Sequence, residues 1–252
     1  MKLGLNLYSL RNMIQNKEDF LWTARMLKEN GYDFLQFSGS PLSLAAAQEV
    51  SEQSGMPILL THSPYERIVN DTEALMEEHR ALGCRYIGLG SMPGIAKASD
   101  EELLAMIGKL NEAGRRMQDK GFVFCYHNHW YEFRKLASGQ PILDYMLEQA
   151  PFIHFIPDTY WIQYGGASIT EYFEKMKGRM ECVHLKDYRV DPESRQPDFT
   201  YLGNGAINFR SVIDTAVKCG AEHFFVEQDS AALLPDGLYQ VIKSAKYIKE
   251  NF

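Results

Sequence analysis

The sequence lacks closely spaced cysteines. Four cysteines are present, widely separated and with no CxxC motif among them: Cys84, Cys125, Cys182 and Cys219. Two of them, Cys125 and Cys182, lie inside apolar runs, where cysteine usually behaves as a small hydrophobic residue. This pattern excludes a disulfide framework and predicts a protein of a reducing compartment, which for this chain we take to be the cytoplasm.

Long apolar runs and basic clusters are also missing. No segment approaches the ~20 apolar residues that a membrane-spanning helix needs. The N-terminal stretch has one lysine and only a short apolar run, so we expect a first strand there and not a signal peptide. The net charge of −7 argues against a protein that binds nucleic acid through its phosphates. We therefore expect neither a membrane nor a nucleic-acid partner.

What is present is typical of a soluble globular domain. The chain has 252 residues, of which 45% are hydrophobic and 23% charged, and this length is common for one (β/α)8 domain. Short apolar runs alternate eight times with helical patterns, which predicts a parallel sheet with crossover helices. We predict a single α/β domain over residues 1–252, a (β/α)8 TIM barrel. The predicted strands are Lys2–Tyr8, Phe34–Phe37, Pro57–Thr61, Tyr86–Gly90, Phe122–Tyr126, Ile153–Pro157, Cys182–Lys186 and His223–Glu227.

The predicted helices lie between these strands, near residues 18–30, 42–54, 71–82, 100–119, 140–149, 169–177, 209–219 and 235–250. Ser99 and Glu102 have the spacing of a capping box at the start of one of them. The longest stretch without a predicted element is Tyr188–Gly205, after the seventh strand. A loop of that length in a compact domain is usually functional, and we expect this one at the active rim.

Three polar residues each end an apolar run: Asp158, His184 and Glu227. In a parallel barrel the carboxyl ends of the strands meet at one rim, where active sites are built. Two carboxylates and an imidazole gathered there can hold a divalent cation. The alternative is that each residue only caps its own strand, but three such residues in successive strand–helix units favour the metal site.

The end of the fifth strand is also rich in polar groups. His127, Asn128, His129 and Glu132 lie within six residues of each other there, and His62 follows the third strand. His127 and His129 share strand parity, so both could face the barrel mouth. The alternative is a solvated loop with one histidine bonded to the backbone.

Lys186 shares parity with His184 and lies one pleat higher. A lysine at that position could bind a substrate oxygen or carry a proton. The alternative is a surface ion pair between Lys186 and Asp187.

A site of carboxylates with one or two imidazoles suits Mn²⁺, Mg²⁺, Co²⁺ or Zn²⁺. Such a cation polarises a carbonyl and stabilises an enediolate, while a neighbouring glutamate moves the proton on the adjacent carbon. Aldose–ketose isomerisation, epimerisation beside a carbonyl and some β-eliminations share this chemistry.

In their order along the chain, several short motifs resemble the xylose isomerase-like TIM-barrel superfamily. This is the sugar phosphate isomerase/epimerase group, which includes inosose dehydratases and isomerases, ketose 3-epimerases and hydroxypyruvate isomerases. The resemblance covers essentially the whole chain and is specific for the superfamily, though not for a substrate. The motifs are His62-Ser-Pro-Tyr65, Tyr126-His-Asn-His129 with Glu132-Phe133, Asp158-Thr-Tyr-Trp161 before Gly165-Gly166, Val183-His-Leu-Lys-Asp187, Leu202-Gly-Asn-Gly205 with Asn208-Phe209, and Val226-Glu-Gln-Asp229.

The resemblance implies one metal ion held by Glu, Asp, His and Glu from strands five to eight. The last three ligands match Asp158, His184 and Glu227. The first falls near Cys125 or His127, neither of which is a glutamate, so either His127 binds the metal or Glu132 reaches back from the loop. We predict Glu132, with His127 and His129 facing the substrate, because enolisation needs a carboxylate base beside the metal. The Gly-Glu-Gly turn of the family reads Gly203-Asn204-Gly205 here.

The apurinic-site endonuclease branch of the superfamily resembles the chain at His62 and Tyr65. That branch needs three zinc ions and extra histidines, one of them three residues after the aspartate of strand six. Trp161 occupies that position here, the end of strand four supplies no histidine, and the net charge is acidic. We exclude DNA repair and interpret Trp161 as an apolar wall for a sugar face.

The predicted enzyme is an isomerase or epimerase that depends on one divalent metal ion and acts on a sugar or keto-polyol. The alternatives are a lyase acting on an inosose or a 3-keto-glycoside, and a non-catalytic metal- or carbohydrate-binding protein. The absence of a glycine-rich phosphate cradle and of an arginine cluster favours an unphosphorylated sugar or cyclitol, and a homo-oligomer stays open. The predicted catalytic residues are Glu132, Glu227, His127 and Lys186, the substrate-binding residues His62, Asn128, His129 and Trp161, and the metal ligands Glu132, Asp158, His184 and Glu227.

Overall fold

Eight parallel strands form a nearly closed barrel in the structure, a computed structural model that describes all 252 residues. Each barrel strand lies within two residues of its predicted position, so the (β/α)8 prediction is confirmed. The barrel strands are β1 (Leu3–Asn6), β2 (Phe34–Phe37), β3 (Ile58–His62), β4 (Tyr86–Leu89), β5 (Val123–His127), β6 (His154–Ile156), β7 (Cys182–Leu185) and β10 (His223–Val226).

The barrel has a seam between β6 and β7. The other neighbours pair in the order β6-β5-β4-β3-β2-β1-β10-β7, whereas β6 and β7 are joined only by a bridge between Asp158 and His184. The His184 N–H donates to the Pro157 carbonyl at 3.0 Å, just above the end of β6. Two of the predicted metal ligands therefore lie where the barrel closes.

The helices surround the barrel and agree with the predicted ranges. Two short helices, α3 and α7, were not predicted and lie in the loops after β3 and β6. The Ser99–Glu102 capping box predicted at the start of α5 is present. The helices are α1 (Lys17–Glu29), α2 (Leu44–Ser54), α3 (Tyr65–Asn70), α4 (Thr72–Leu82), α5 (Asp100–Gln118), α6 (Ile142–Gln149), α7 (Thr159–Tyr164), α8 (Ile169–Lys175), α9 (Phe209–Cys219) and α10 (Gly237–Asn251).

The sequence predicted an irregular stretch after β7. The structure instead has an antiparallel hairpin there. Its strands are β8 (Asp187–Val190) and β9 (Pro197–Thr200). The chain that follows folds back onto Asp187, whose Oδ2 accepts hydrogen bonds from the backbone N–H groups of Gly203 and Gly205, both at 3.0 Å. A β-carbon at Gly205 would collide with this carboxylate, so the turn requires glycine there.

The apolar core has two parts. The larger part fills the space between the strands and the helices, as expected for parallel strands buried on both faces. The smaller part fills the inside of the barrel with side chains from seven of the eight strands and closes it below the rim; its buried members are Phe34, Leu60, Tyr86, Val123, Cys125, Ile156, Cys182 and Phe225. All four cysteines are buried and free. None of the helices has the length and apolarity that crossing a membrane requires.

Candidate metal centre

Four side chains converge at the carboxyl ends of the strands. They are His127 at the end of β5, Asp158 after β6, His184 in β7 and Glu227 after β10. One potential ligand atom from each lies within 4.8 Å of the ligand atoms of the others, and all four residues are buried. Two imidazoles and two carboxylates at this spacing are a ligand set that a divalent transition metal or Mg²⁺ accepts.

The two carboxylates are placed by the ends of their strands. Asp158 is the N-cap of α7, and its Oδ1 accepts a hydrogen bond from the Trp161 N–H at 2.9 Å. This cap leaves Oδ2 to face the other three residues. Glu227 follows β10 directly, and its backbone N–H donates to the Leu185 carbonyl at 3.0 Å.

His184 has one ring nitrogen free for a ligand. Its Nε2 lies 2.6 Å from Gln36 Oε1, an acceptor only, so Nε2 carries the proton and Nδ1 has the lone pair. That Nδ1 lies 2.6 Å from Glu227 Oε2, which is also an acceptor, and neither buried atom has a hydrogen-bond partner. Two acceptors at this distance need a proton or a metal cation between them, and with His127 and Asp158 beside them the residues present fit a metal ion.

His127 is oriented in the same way. Its Nδ1 lies 3.2 Å from the Gly90 carbonyl, to which it can only donate, so the lone pair is on Nε2. Nε2 lies 3.4 Å from Asp158 Oδ2 and 3.7 Å from Glu227 Oε2. The backbone carbonyl thus orients His127 toward the group. Metal-binding histidines are commonly oriented in this way by a hydrogen-bond acceptor that is not itself a ligand.

The structure does not bring Glu132, the fourth ligand that we predicted, into this group. Both of its oxygens are engaged elsewhere: Oε1 accepts from the Tyr126 hydroxyl at 2.5 Å and Oε2 from the His129 N–H at 2.8 Å. Burial raises the pKa of Glu132, although these hydrogen bonds oppose the rise. Its carboxylate holds the loop that follows β5, and His127 takes the place that we had assigned to it.

Lys186 lies beside the group as a buried cation. Its Nζ is 2.9 Å from Asp229 Oδ2, 3.5 Å from Asp158 Oδ2 and 3.9 Å from Glu227 Oε1. Burial lowers the pKa of Lys186, but the three carboxylates outweigh burial and the net shift is upward. The surface pair of Lys186 with Asp187 is therefore wrong, because both residues are fully buried and Asp187 binds backbone N–H groups instead.

The positive charge of Lys186 keeps Asp158 and Glu227, the two carboxylates of the group, ionised. Burial opposes their ionisation, yet Lys186 and the neighbouring imidazoles hold the pKa of Asp158 below its usual value and that of Glu227 well below. For His127, burial lowers the pKa, but Asp158 and Glu227 outweigh it and the net shift is upward. The group thus attracts either protons or a metal cation.

A cavity of about 560 Å³ opens above these residues, and only three of its lining side chains are hydrophobic. Among the predicted substrate-binding residues, His62 and His129 line it. Burial lowers the pKa of His129 to about 3, so its ring is neutral. The cavity is lined by Asn6, Tyr8, Arg11, Ser38, Gly39, His62, Gly90, His127, His129, Phe199, Glu227, Asp229, Ser230 and Leu233.

Asn128 and Trp161 are not among the lining residues. Asn128 is buried, and its Oδ1 accepts the Asp158 N–H at 3.2 Å, so it supports a ligand. The Trp161 ring lies 5.3 Å from the His129 ring and 4.9 Å from Lys186 Nζ. It forms a wall behind His129 and Lys186.

Three residues of the site were not predicted from the sequence: Asn6, Gln36 and Asp229. Asn6 and Gln36 lie within apolar strands and were counted only as strand residues. Asp229 stands in a motif that we noted, two residues after Glu227, but it received no role. The alternation of side chains along β1 and β2 was the one signal that could have found Asn6 and Gln36, because it points both toward the barrel interior.

The chain is similar to known proteins in sequence and in fold. An inosose dehydratase of Clostridium perfringens (strain ATCC 13124) is 28% identical over 226 residues, which cover 76% of this chain and 73% of that protein. A sugar phosphate isomerase/epimerase of Parabacteroides distasonis shares the fold with a TM-score of 0.83 at 20% identity, over 99% of this chain and 94% of that one.

A D-allulose 3-epimerase of Methylomonas sp., solved with D-allulose, has the same fold with a TM-score of 0.72. It is 14% identical, and the match covers 100% of this chain and 97% of that one. A family described as "Xylose isomerase-like TIM barrel" matches residues 24–250. With the barrel and the buried rim group in place, this match shows that the chain belongs to the xylose isomerase-like TIM-barrel family.

Proposed function

We propose that the protein is a divalent-metal-dependent enzyme that removes a proton from the carbon beside a carbonyl group of a sugar or cyclitol. The observation that carries the proposal is the pair of facing acceptors, His184 Nδ1 and Glu227 Oε2, 2.6 Å apart in a buried group of four. His127, Asp158, His184 and Glu227 would hold the ion. The bound cation would supply Lewis-acid stabilisation to the negative charge that develops on the substrate oxygen.

Glu227 is the base in this proposal. It lines the cavity, and its low pKa keeps it ionised and ready to accept a proton at neutral pH. Its Oε2 faces the two imidazoles, whereas its Oε1 lies toward Lys186. One carboxylate can therefore belong to the ligand group and still offer an oxygen to a substrate carbon.

A lyase fits these residues better than a 3-epimerase. Epimerisation through two glutamates needs a second carboxylate base on the opposite face of the substrate, and Glu132 is bound to Tyr126 and the His129 N–H. A β-elimination needs one base: Glu227 takes the proton on the α-carbon, the bond to the β-oxygen breaks, and a double bond forms. The leaving oxygen takes its proton from Lys186 through Asp229, the member of this ion pair that lines the cavity. The similarity to inosose dehydratases supports this choice.

Isomerisation between an aldose and a ketose is the second candidate. It also needs only one base, because Glu227 could return the proton to the neighbouring carbon on the same face. Glu227 is the one carboxylate of the group that also lines the cavity, and a single base suits this reaction as well as elimination.

The test is solvent exchange and product analysis with a metal-loaded enzyme in D₂O. A keto-inositol, a ketohexose and a 3-keto-glucoside are the substrates, and Glu227→Gln is compared with the wild type. Glutamine keeps the shape and one oxygen but cannot accept a proton, so we expect exchange to fall by ~10²–10⁴-fold. Glu181→Gln, which changes a glutamate at the opposite end of the barrel beside His154, is the matched control.

The products separate the candidates. Loss of water or of the glycosidic group identifies a lyase, and a rearranged sugar identifies an isomerase. If metal-loaded wild type exchanges no proton of any of these substrates, the enzyme proposal fails and a non-catalytic binding protein takes its place. If Glu227→Gln keeps its metal and exchanges at the wild-type rate, the base is another residue.

A further inference from the structure

Asn6 ends β1 with one half of its amide engaged and the other half free. Its Oδ1 accepts a hydrogen bond from the Tyr8 N–H at 3.1 Å. Because a backbone N–H can only donate, the oxygen must face Tyr8 and the Nδ2 group must face the other way. Asn6 is fully buried, and Nδ2 has no hydrogen-bond partner in the protein.

The free Nδ2 belongs to a residue that lines the cavity beside the proposed base. β1 pairs with β10 on one side and with β2 on the other, and Leu5 is in register with Val226, the residue before Glu227. Asn6 itself is in register with Gln36, which holds His184. Asn6 therefore lies between the strand that positions the base and the strand that orients a ligand.

A buried donor without a partner costs about 1–3 kcal/mol of stability, so a polar group at such a position is expected to have a partner in the working state. Asn6 is the N-cap of a short 3-10 helix, Leu7–Met13, and this role explains its Oδ1 but not its Nδ2. Serine would cap the turn equally well without presenting an amide to the cavity. The amide is thus left to bind a ligand.

We propose that Asn6 is a specificity-determining residue that donates a hydrogen bond from Nδ2 to an oxygen of the substrate. The substrate class is a polyhydroxylated keto compound whose oxygen lies next to the carbon that faces Glu227. An analogue without that oxygen leaves the amide unpaired and is discriminated against. This inference rests on the proposed function for the identity of the substrate, but not for the placement of the donor.

The first test is binding by isothermal titration calorimetry to the metal-loaded protein, with the same keto-inositol, ketohexose and 3-keto-glucoside. Asn6→Ser keeps a capping oxygen and removes the amide, and we expect about 3- to 10-fold weaker binding of the tightest of these ligands. A deoxy analogue that lacks the contacted oxygen should bind the variant and the wild type equally. Asn208→Ser is the control, because Asn208 caps α9 in the same way outside the site and should leave binding unchanged.

The second test is a crystal structure of the metal-loaded protein with molar glycerol, which offers hydroxyls regardless of the natural substrate. We expect a glycerol or water oxygen within ~2.7–3.2 Å of Asn6 Nδ2. The proposal is overturned if no oxygen lies there. It is equally overturned if Asn6→Ser binds the panel and its deoxy analogues like the wild type.

The two proposals fail in different ways. If none of the three ligands binds the wild type but an oxygen occupies the position beside Nδ2, the proposed substrate class is wrong and the donor site stands. If the ligands bind and react while Asn6→Ser leaves their affinities unchanged, the function stands and the role of Asn6 is wrong.

Discussion

Gln36 Oε1 lies 2.6 Å from His184 Nε2, although the two residues are 148 positions apart in the sequence. Both are fully buried, and they come from β2 and β7, which are not neighbours in the sheet. The contact therefore crosses the barrel interior. It fixes the tautomer of His184 and directs Nδ1 toward Glu227.

Replacing Gln36 with leucine should weaken metal binding without removing a ligand. Loss of the acceptor frees His184 to carry its proton on Nδ1 and to rotate, so we expect a ~10–100-fold lower affinity for the metal. Competition with a chelator of known affinity measures the change. Gln36→Glu keeps an acceptor and should bind more tightly than Gln36→Leu, whereas Gln163→Leu, on an exposed amide of α7, is the control. Equal affinities of Gln36→Leu and wild type would show that the contact does not support the site.

His127 and Glu132 can be separated by their effects on the metal. His127→Ala removes a proposed ligand, so its metal affinity should fall by more than the ~10–100-fold expected for an outer partner. Glu132→Gln should keep the metal, because the glutamine oxygen can still accept the His129 N–H while its amide donates to the Tyr126 hydroxyl. Metal content by mass spectrometry and turnover are measured for both. If the Glu132→Gln variant contained no metal while the His127→Ala variant remained loaded, Glu132 would be the fourth ligand, as the sequence predicted.

The stability of the protein should decrease as the pH is lowered, and His79 should account for part of this decrease. This residue of α4 is buried, its Nδ1 donates to the Leu75 carbonyl at 2.7 Å, and its Nε2 accepts from the Thr61 hydroxyl at 2.8 Å. Burial lowers the pKa of His79 below its usual 6.5, so the unfolded chain takes up the proton first. This contribution is fully present above about pH 6.5 and is lost as the pH falls toward the folded-state pKa.

The measurement is the free energy of unfolding in urea at pH 7.5 and pH 5.5. In His79→Gln, which keeps a polar amide, the difference between the two pH values should be smaller than in wild type. One proton accounts for at most about 1.4 kcal/mol per pH unit in this window. Other buried histidines titrate in both proteins, so only the difference between the variants is informative. An unchanged difference would contradict the assignment.

Asp187→Asn should destabilise the chain after β9. Oδ1 accepts the N–H groups of Tyr188 and Ile207 at 2.9 and 3.2 Å, and Oδ2 accepts those of Gly203 and Gly205. An asparagine turns one acceptor oxygen into a donor that faces two N–H groups. We expect a loss of about 2–4 kcal/mol, measured by urea unfolding, with Asp198→Asn on the exposed face of the hairpin as the control. A loss under about 0.5 kcal/mol would show that these bonds contribute little.

The sequence predicted the parts of the site that follow from local patterns. Asp158, His184 and Glu227 each end an apolar strand, and the carboxyl ends of parallel strands must meet at one rim. The eight strands were found for the same reason, because runs of four to five apolar residues between helices have few other interpretations. Glu132 was predicted as the fourth member of the group because enolisation needs a carboxylate base. The sequence does not show that Tyr126 binds the Glu132 carboxylate away from the group.

Asn6 and Gln36 could not be predicted because their roles depend on closure of the barrel. Each is one polar residue in an apolar strand, and its partner or cavity is supplied by a segment far away in the chain. The β8–β9 hairpin was missed because each of its strands has only four residues and neither contains the continuous apolar run by which the barrel strands were identified. Local patterns find strand ends, while contacts across the barrel interior need the assembled fold.

The position of Lys186 among Asp158, Glu227 and Asp229 fixes the electrostatic balance of the loaded site. Three carboxylates and one ammonium leave two negative charges, which a divalent cation neutralises when the imidazoles are neutral. On the proposed function, an uncharged sugar or cyclitol would enter without adding net charge beside the metal ligands, whereas a phosphate group would add about two negative charges that only Arg11 among the lining residues could offset. We therefore expect charge balance alone to favour an unphosphorylated substrate, before any direct contact with the sugar is considered.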